Sequence, residues 1–210
     1  RRDRKLTASR LRPDAAEIKR ALLLLVSPGD VFEIRSPDAT NVRYGARLDT
    51  FTRTASGYFD NADTASIATA RAFEEAETAG VYVTVNQLHP GLLARARNHF
   101  HAVRGKGEPT TADKDVRRRR WLYVDIDVDR PAGICSTQAE KAEAFGVGQK
   151  VDLYLSGHGF PRPVVLDSGS GEQFGTRLSF FPTTSALGLV MPSNSPAVNS
   201  LWLPSIALKT

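Results

Sequence analysis

The stretch Trp121-Leu122-Tyr123-Val124-Asp125-Ile126-Asp127-Val128-Asp129 decides how this chain is read. Alternate residues of a strand share a face, so Asp125, Asp127 and Asp129 project together while Val124, Ile126 and Val128 fill a core on the other side. Carboxylates this close repel one another unless a cation or a basic partner lies between them. Hard oxygen donors at this spacing suit Mg²⁺ or Mn²⁺, which need few protein carboxylates when substrate phosphates complete the shell. The alternative is an edge strand with one solvated acidic face. The flanking apolar residues favour a central strand, where unpaired acids are expensive.

Immediately before this strand stand Arg117-Arg118-Arg119-Arg120. Such a run is usually solvated surface. Leading straight into an acidic strand, it can also set two guanidinium groups along the acidic face, to balance Asp125 and Asp127 or to hold phosphate. Downstream, Val164-Val165-Leu166-Asp167-Ser168-Gly169-Ser170-Gly171 reads as a strand opening into a Ser/Gly loop, whose backbone N–H groups can cradle phosphate. Many strands end in Gly-rich turns, so this signal is weak alone.

Working outward, residues 1–12 are a basic arm, with Arg1, Arg2, Arg4, Lys5, Arg10 and Arg12. Asp14 and Glu17 stand at capping-box spacing, and Ile18, Ala21, Leu22 and Leu25 give the helix they open an apolar face. Val31–Arg35 alternates like a half-buried strand, and Thr50–Phe59 is a second β-rich run. Ala62–Thr78 reads as a helix with Gly80 placed to cap it. Val81–Val85 is β-branched, and Pro90 opens a predicted helix carrying Leu92, Leu93, Ala96 and Phe100. Residues 103–114 read as an exposed loop. A helix is predicted from about Ser136 to Leu155, entered through Thr137 and Glu140. Strands alternate with helices and there is no internal repeat, so the expected class is α/β or α+β.

The 210 residues carry a formal charge of +5, which favours an anionic partner. Cys135 is the only cysteine, so neither an intrachain disulfide nor a cysteine zinc site is available, and a reducing cytoplasm fits. No apolar run approaches the ~20 residues that span a bilayer. His89, His99, His101 and His158 show no ligand spacing, and no Walker-type loop or dinucleotide glycine fingerprint is present.

Four stretches in order, Ser56–Asp60 (SGYFD), Gly80–Asn86 (GVYVTVN), Arg118–Ile134 (RRRWLYVDIDVDRPAGI) and Gly159–Gly171 (GFPRPVVLDSGSG), resemble primase-polymerases of the archaeo-eukaryotic primase superfamily carried by phages, plasmids and mobile elements. The resemblance covers roughly residues 14–171, and its most specific part joins the two-aspartate motif to the Arg-Pro-Ala-Gly turn. It implies an α+β fold with an RRM-like antiparallel catalytic sheet, flanking helices and an N-terminal αβ unit. It also implies divalent metal on Asp125 and Asp127 as catalytic residues, and incoming nucleoside triphosphate near Ser168, Gly169, Gly171 and Gln173. A DNA template would lie on Arg118, Arg119, Arg120 and Arg130, with a helicase domain or other replication partner supplying it.

Two departures stand out. The family's second motif carries a histidine where this chain has Gln173, and Glu172 adds a negative charge. The family's third motif, a hydrophobic strand ending in an acid, is absent. Residues 172–210 are therefore expected to be an atypical, poorly packed tail beyond a catalytic domain at 13–171. Read in a shifted frame, Phe180–Thr184 can encode Leu-Pro-Asn-Asp and Pro204–Thr210 can encode Val-Asp-Arg-Ser-Glu-Asn, both family-like; the gene's nucleotide sequence tests this. Weak polymerisation at most is expected of this chain. A non-catalytic nucleic-acid-binding module derived from a primase is the alternative. A metal-dependent nuclease or phosphatase fits the paired aspartates but lacks an evident general base.

Overall fold

The computed structural model describes residues 12–105, 108–127, 136–167, 171–178 and 205–208. These fall into two compact units divided after Arg118, with the strand at 205–208 joining the first. The class is α+β: helices are combined with antiparallel sheets.

The first unit opens with α1 (Ala15–Leu25), capped by Asp14, whose carboxylate accepts from the Ala16 N–H. Glu17 pairs with Arg20. Ile18, Leu22 and Leu25 are its buried stripe, as the spacing predicts. Strand β1 (Phe32–Ala39) follows, then a hairpin of β2 (Val42–Tyr44) and β3 (Arg47–Asp49), then β4 (Arg53–Phe59). Helix α2 (Ala62–Phe73) starts at Asn61, whose side chain accepts from the N–H groups of Asp63 and Thr64.

Helix α2 ends five residues before the predicted Thr78. Glu77 instead exchanges both backbone hydrogen bonds with Thr40, at 2.9 and 3.0 Å, and this pairing draws the chain out of the helix. Gly80 is therefore not its cap. It precedes β5 (Val81–Thr84) and β6 (Gln87–Leu88).

The helix predicted from Pro90 is a short 3₁₀ segment, Pro90–Arg95. Its continuation is captured by β4: Tyr58 N–H donates to Ala96 and Asn98 N–H donates to Tyr58. Phe100 and His101 consequently lie on a strand, β7 (Phe100–Ala102), rather than on helix faces. A 3₁₀ turn at Asp113–Asp115 leads into β8 (Val116–Arg118), which pairs with β6.

The main sheet of this unit runs β12-β5-β1-β4-β7, where β12 is Ser205–Leu208. One side of it carries Phe32, Ile34, Ala55, Phe59, Val81 and Val83, all essentially inaccessible to solvent. Phe59 lies 6.1 Å from Phe32 and 5.2 Å from Phe100 between ring centroids, and Phe100 meets Phe73 of α2 edge-on. Burying a valine, isoleucine or phenylalanine side chain contributes roughly 1.5–3 kcal/mol, so this face is a substantial source of the unit's stability.

The second unit holds β9 (Trp121–Asp127), α3 (Gln138–Gly157), β10 (Val164–Asp167) and β11 (Gly171–Arg177). Thr137 and Glu140 form the predicted capping box at the start of α3. The sheet order is β10-β11-β9, antiparallel throughout. The boundary expected after Gly171 thus falls at the head of the middle strand. Residues 172–177 complete the sheet rather than beginning a loose tail, because β11 has an antiparallel partner on each side. Residues 179–204 of the expected tail, residues 1–11 of the basic arm and Asp129 lie outside the described residues. Most of Pro204–Thr210 does not: Ser205–Leu208 pairs with Val81–Thr84 in the present reading frame.

Candidate functional site

Strand β9 owes its direction to what each face meets. Ile126 and Ala144 of α3 are buried together, with Val124, Val147 and Val151 packed around them. Val147 and Val151 are four residues apart, one helical turn, and so lie on the same side of α3. Valine and isoleucine at 124 and 126 therefore turn towards the helix, and strand alternation sends Asp125 to the opposite face, where it is exposed. Asp127 is the last residue of the strand, in step with Asp125.

The β9–β11 register aligns two segments that are distant in sequence. Asp127 is opposite Gly171, Asp125 opposite Gln173, Tyr123 opposite Gly175 and Trp121 opposite Arg177. Gln173 is thus the cross-strand neighbour of Asp125, whereas Glu172 is in register with Ile126. The repulsive charge expected of Glu172 therefore falls out of step with the Asp125 row. On the other side of β11, Leu166 continues the Gln173 row and Asp167 the Glu172 row.

The lower part of the Asp125 face is closed by rings. Trp121 lies under the Arg177 guanidinium, 5.3 Å from carbon to ring centroid. The Tyr123 ring lies against Gly175, where an added Cβ would approach it to 3.3 Å. A residue without a side chain at 175 permits that close approach. Burial raises the Tyr123 hydroxyl above its ordinary range, and the negative charge of Asp125 raises it further. Tyr123 thus stays a neutral phenol beside the carboxylate. Thr176, buried, donates its hydroxyl to the Pro161 carbonyl at 2.6 Å and ties β11 to the chain leading into β10.

The arginine run is divided. Arg117 and Arg118 are exposed on β8, with Arg118 opposite Gln87. Arg119 is exposed and Arg120 half-buried, its carbonyl accepting from Leu178 N–H at 2.7 Å. The run is therefore not one continuous strand feeding the acidic face. Arg130, Ser168 and Gly169 lie outside the described residues. Among the described residues no group of three or more His, Cys, Asp and Glu side chains gathers. Asp125 and Asp127, at strand spacing with one shown exposed, still fit a divalent cation whose remaining ligands are phosphate and water oxygens.

Sequence reasoning missed a polar constellation in the first unit. Glu33 is fully buried on β1. Its carboxylate accepts from the Ser56 hydroxyl at 2.6 Å and from the Thr111 N–H at 3.1 Å. Beside it the Tyr58 hydroxyl accepts from Arg95 at 3.2 Å, and Arg95 also approaches Asp115 at 3.8 Å. The segment read as an exposed loop thus supplies, at Thr111, a partner for a buried acid. The alternation Phe32-Glu33-Ile34-Arg35 carried the signal, since it sets an acid and a base on one face.

No family model, no curated protein and no solved structure matches this chain. No helix among the described residues is long and apolar enough to cross a membrane.

Proposed function

We propose that this chain is the catalytic domain of a DNA-dependent nucleotidyltransferase of primase-polymerase type, from the replication protein of a phage, plasmid or other mobile element. The observation that carries the reading is the β9–β11 register, in which Asp125 faces Gln173 and Asp127 faces Gly171. Two motifs resembling that superfamily, some forty residues apart, thereby become neighbours on one sheet. The β10-β11-β9 sheet with α3 on one side is the RRM-like element of this reading, and the first unit is its N-terminal αβ unit. Ser168, Gly169, Gly171 and Gln173 take the incoming nucleotide, and Arg118, Arg119, Arg120 and Arg130 hold nucleic acid. The partners are a DNA template, nucleoside triphosphates and a helicase domain. A single cysteine fits a cytoplasmic location.

Mg²⁺ or Mn²⁺ bound at Asp125 and Asp127 would supply the positive charge that in-line attack of a 3′-hydroxyl on an α-phosphate requires. The protein's own contribution is to hold the two carboxylates in step on a strand whose other side is locked onto α3. Tyr123, kept neutral, adds no charge to that face. Gln173 donates a hydrogen bond to phosphate but brings no positive charge, so this chain is a slow enzyme.

The test is Mn²⁺- or Mg²⁺-dependent incorporation of nucleotides on a primed single-stranded template. Asp125→Ala/Asp127→Ala should lower incorporation by about 10³-fold or more. Incorporation that survives in the double variant overturns the assignment. The neutral Gln173 opposite Asp125 favours one other reading, a nucleic-acid-binding module without chemistry. In that case neither protein incorporates nucleotide and both keep salt-sensitive DNA binding.

A further inference from the structure

The main sheet of the first unit has a polar side. Tyr82 on β5, Arg35 on β1, Ser56 on β4 and His101 on β7 are successive register partners, so their side chains form one row across four strands. Glu33, one step along β1 on the same face, already has a partner on each oxygen, Ser56 and Thr111. The Arg35 end of the row is different. There a groove of about 450 Å³ opens, with Arg35, Tyr82, Thr54, Thr110 and Glu108 along its walls.

Each wall is held in place. Arg35 donates one N–H to the Thr110 hydroxyl at 2.6 Å, which fixes the plane of a guanidinium that has five donors. The Tyr82 ring lies over Gly80, where an added Cβ would meet it at 3.1 Å, so its position depends on the glycine. Glu108 accepts from the Arg104 N–H at 2.9 Å. Further along the row, the buried Nδ1 of His101 has no hydrogen-bond partner among the described residues.

We propose that this groove is a binding site for one nucleotide unit, with the base against Tyr82, the phosphate on Arg35 and the sugar hydroxyls at Glu108 and the two threonines. An aromatic face offers stacking to any base, and an arginine fork matches phosphate oxygens. A carboxylate in the same groove disfavours a bare polyanion and favours a ligand that also brings hydroxyl or amino donors. The volume lies within the range of small-ligand sites. A free nucleoside phosphate and one ribonucleotide of a single strand share this chemistry. The site belongs to the first unit and does not rest on the polymerase reading, which concerns Asp125 and Asp127 in the second.

Isothermal titration of the full chain in metal-free buffer tests it, with AMP, a short oligoadenylate RNA and inorganic phosphate as separate probes. AMP or the oligonucleotide should bind more tightly than phosphate. Tyr82→Leu and Arg35→Gln should each weaken that binding about tenfold with thermal midpoints retained, and Asp125→Ala/Asp127→Ala should leave it unchanged. Preference for AMP identifies a free nucleotide site, and preference for the oligonucleotide identifies a strand contact. Should Arg35→Gln not fold for want of the Thr110 bond, Tyr82→Leu decides alone. The proposal falls if neither nucleotide probe outbinds phosphate. It also falls if the folded groove variants bind like the parent, or if only the aspartate variant loses binding.

Discussion

Phe32-Glu33-Ile34 in the first unit and Val124-Asp125-Ile126 in the second carry the same local pattern, an acid between two apolar residues of a strand. Their fates differ. Glu33 is fully buried, with Ser56 and Thr111 on its oxygens, and serves to pin Thr111 onto the sheet. Asp125 is exposed, on a three-stranded sheet whose core against α3, among the described residues, includes Ile126 and Ala144 with three half-buried valines. A strand acid buried with donors from another segment becomes a structural fastening, whereas Asp125 keeps its exposure to solvent.

Truncating each core is the strongest way to break the comparison. Phe59→Ala should cost about 3–5 kcal/mol, because its ring is enclosed by Phe32 and Phe100 and cannot be replaced by collapse. Ile126→Ala should cost about 2 kcal/mol, at the low end for such a change, since the half-buried valines around it can close in. Urea unfolding of both variants measures this. Equal losses would mean that the cores are equally tight.

The two acids should separate next. Glu33→Ala strands a buried hydroxyl and a backbone N–H, a loss of about 1–3 kcal/mol. Asp125→Ala should shift stability by no more than about 0.5 kcal/mol, as expected for an exposed position. The same unfolding curves decide, and a larger loss at Asp125 than at Glu33 would reverse the assignment of roles.

A smaller effect concerns pH. Burial, then the negative charge of Asp49, pushes the Tyr44 hydroxyl up to about 12. Above the ordinary tyrosine range the unfolded chain ionises Tyr44 while the folded protein does not. The stability this represents is therefore complete below about pH 10 and is lost as pH rises towards about 12. Alkaline titration of tyrosinate absorbance should lose a step near about 12 in Tyr44→Phe. Tyr123 is raised by burial and by Asp125, so Asp125→Ala should bring its ionisation earlier. An unchanged Tyr123 would mean that the two groups do not sense each other.

Elements with strong local signals were legible in the sequence. The Asp14 and Thr137 caps, the Ile18, Leu22 and Leu25 stripe and the alternation in β9 depend on residues within a turn or two of one another. Predictions failed where a distant backbone competed for the same chain. Glu77 pairs with Thr40 instead of extending α2, and Ala96 and Asn98 bond to Tyr58 instead of continuing a helix from Pro90. In the sequence alone Gln173 is a departure from a motif. Its place opposite Asp125, and membership of residues 172–177 in the middle strand, depend on pairing that no local pattern contains.

The sequence by itself determined a mixed class of helices and strands, the caps, the basic charge and the single strand on which Asp125 and Asp127 stand together. Tertiary structure decided that Glu33 is buried while Asp125 is exposed, that Gln173 rather than Glu172 faces Asp125, and that Arg35 and Tyr82 share a groove. The reason is physical. Caps and periodicity arise from contacts a few residues apart, but the fate of a strand side chain depends on which segment pairs beside it and which layer covers it.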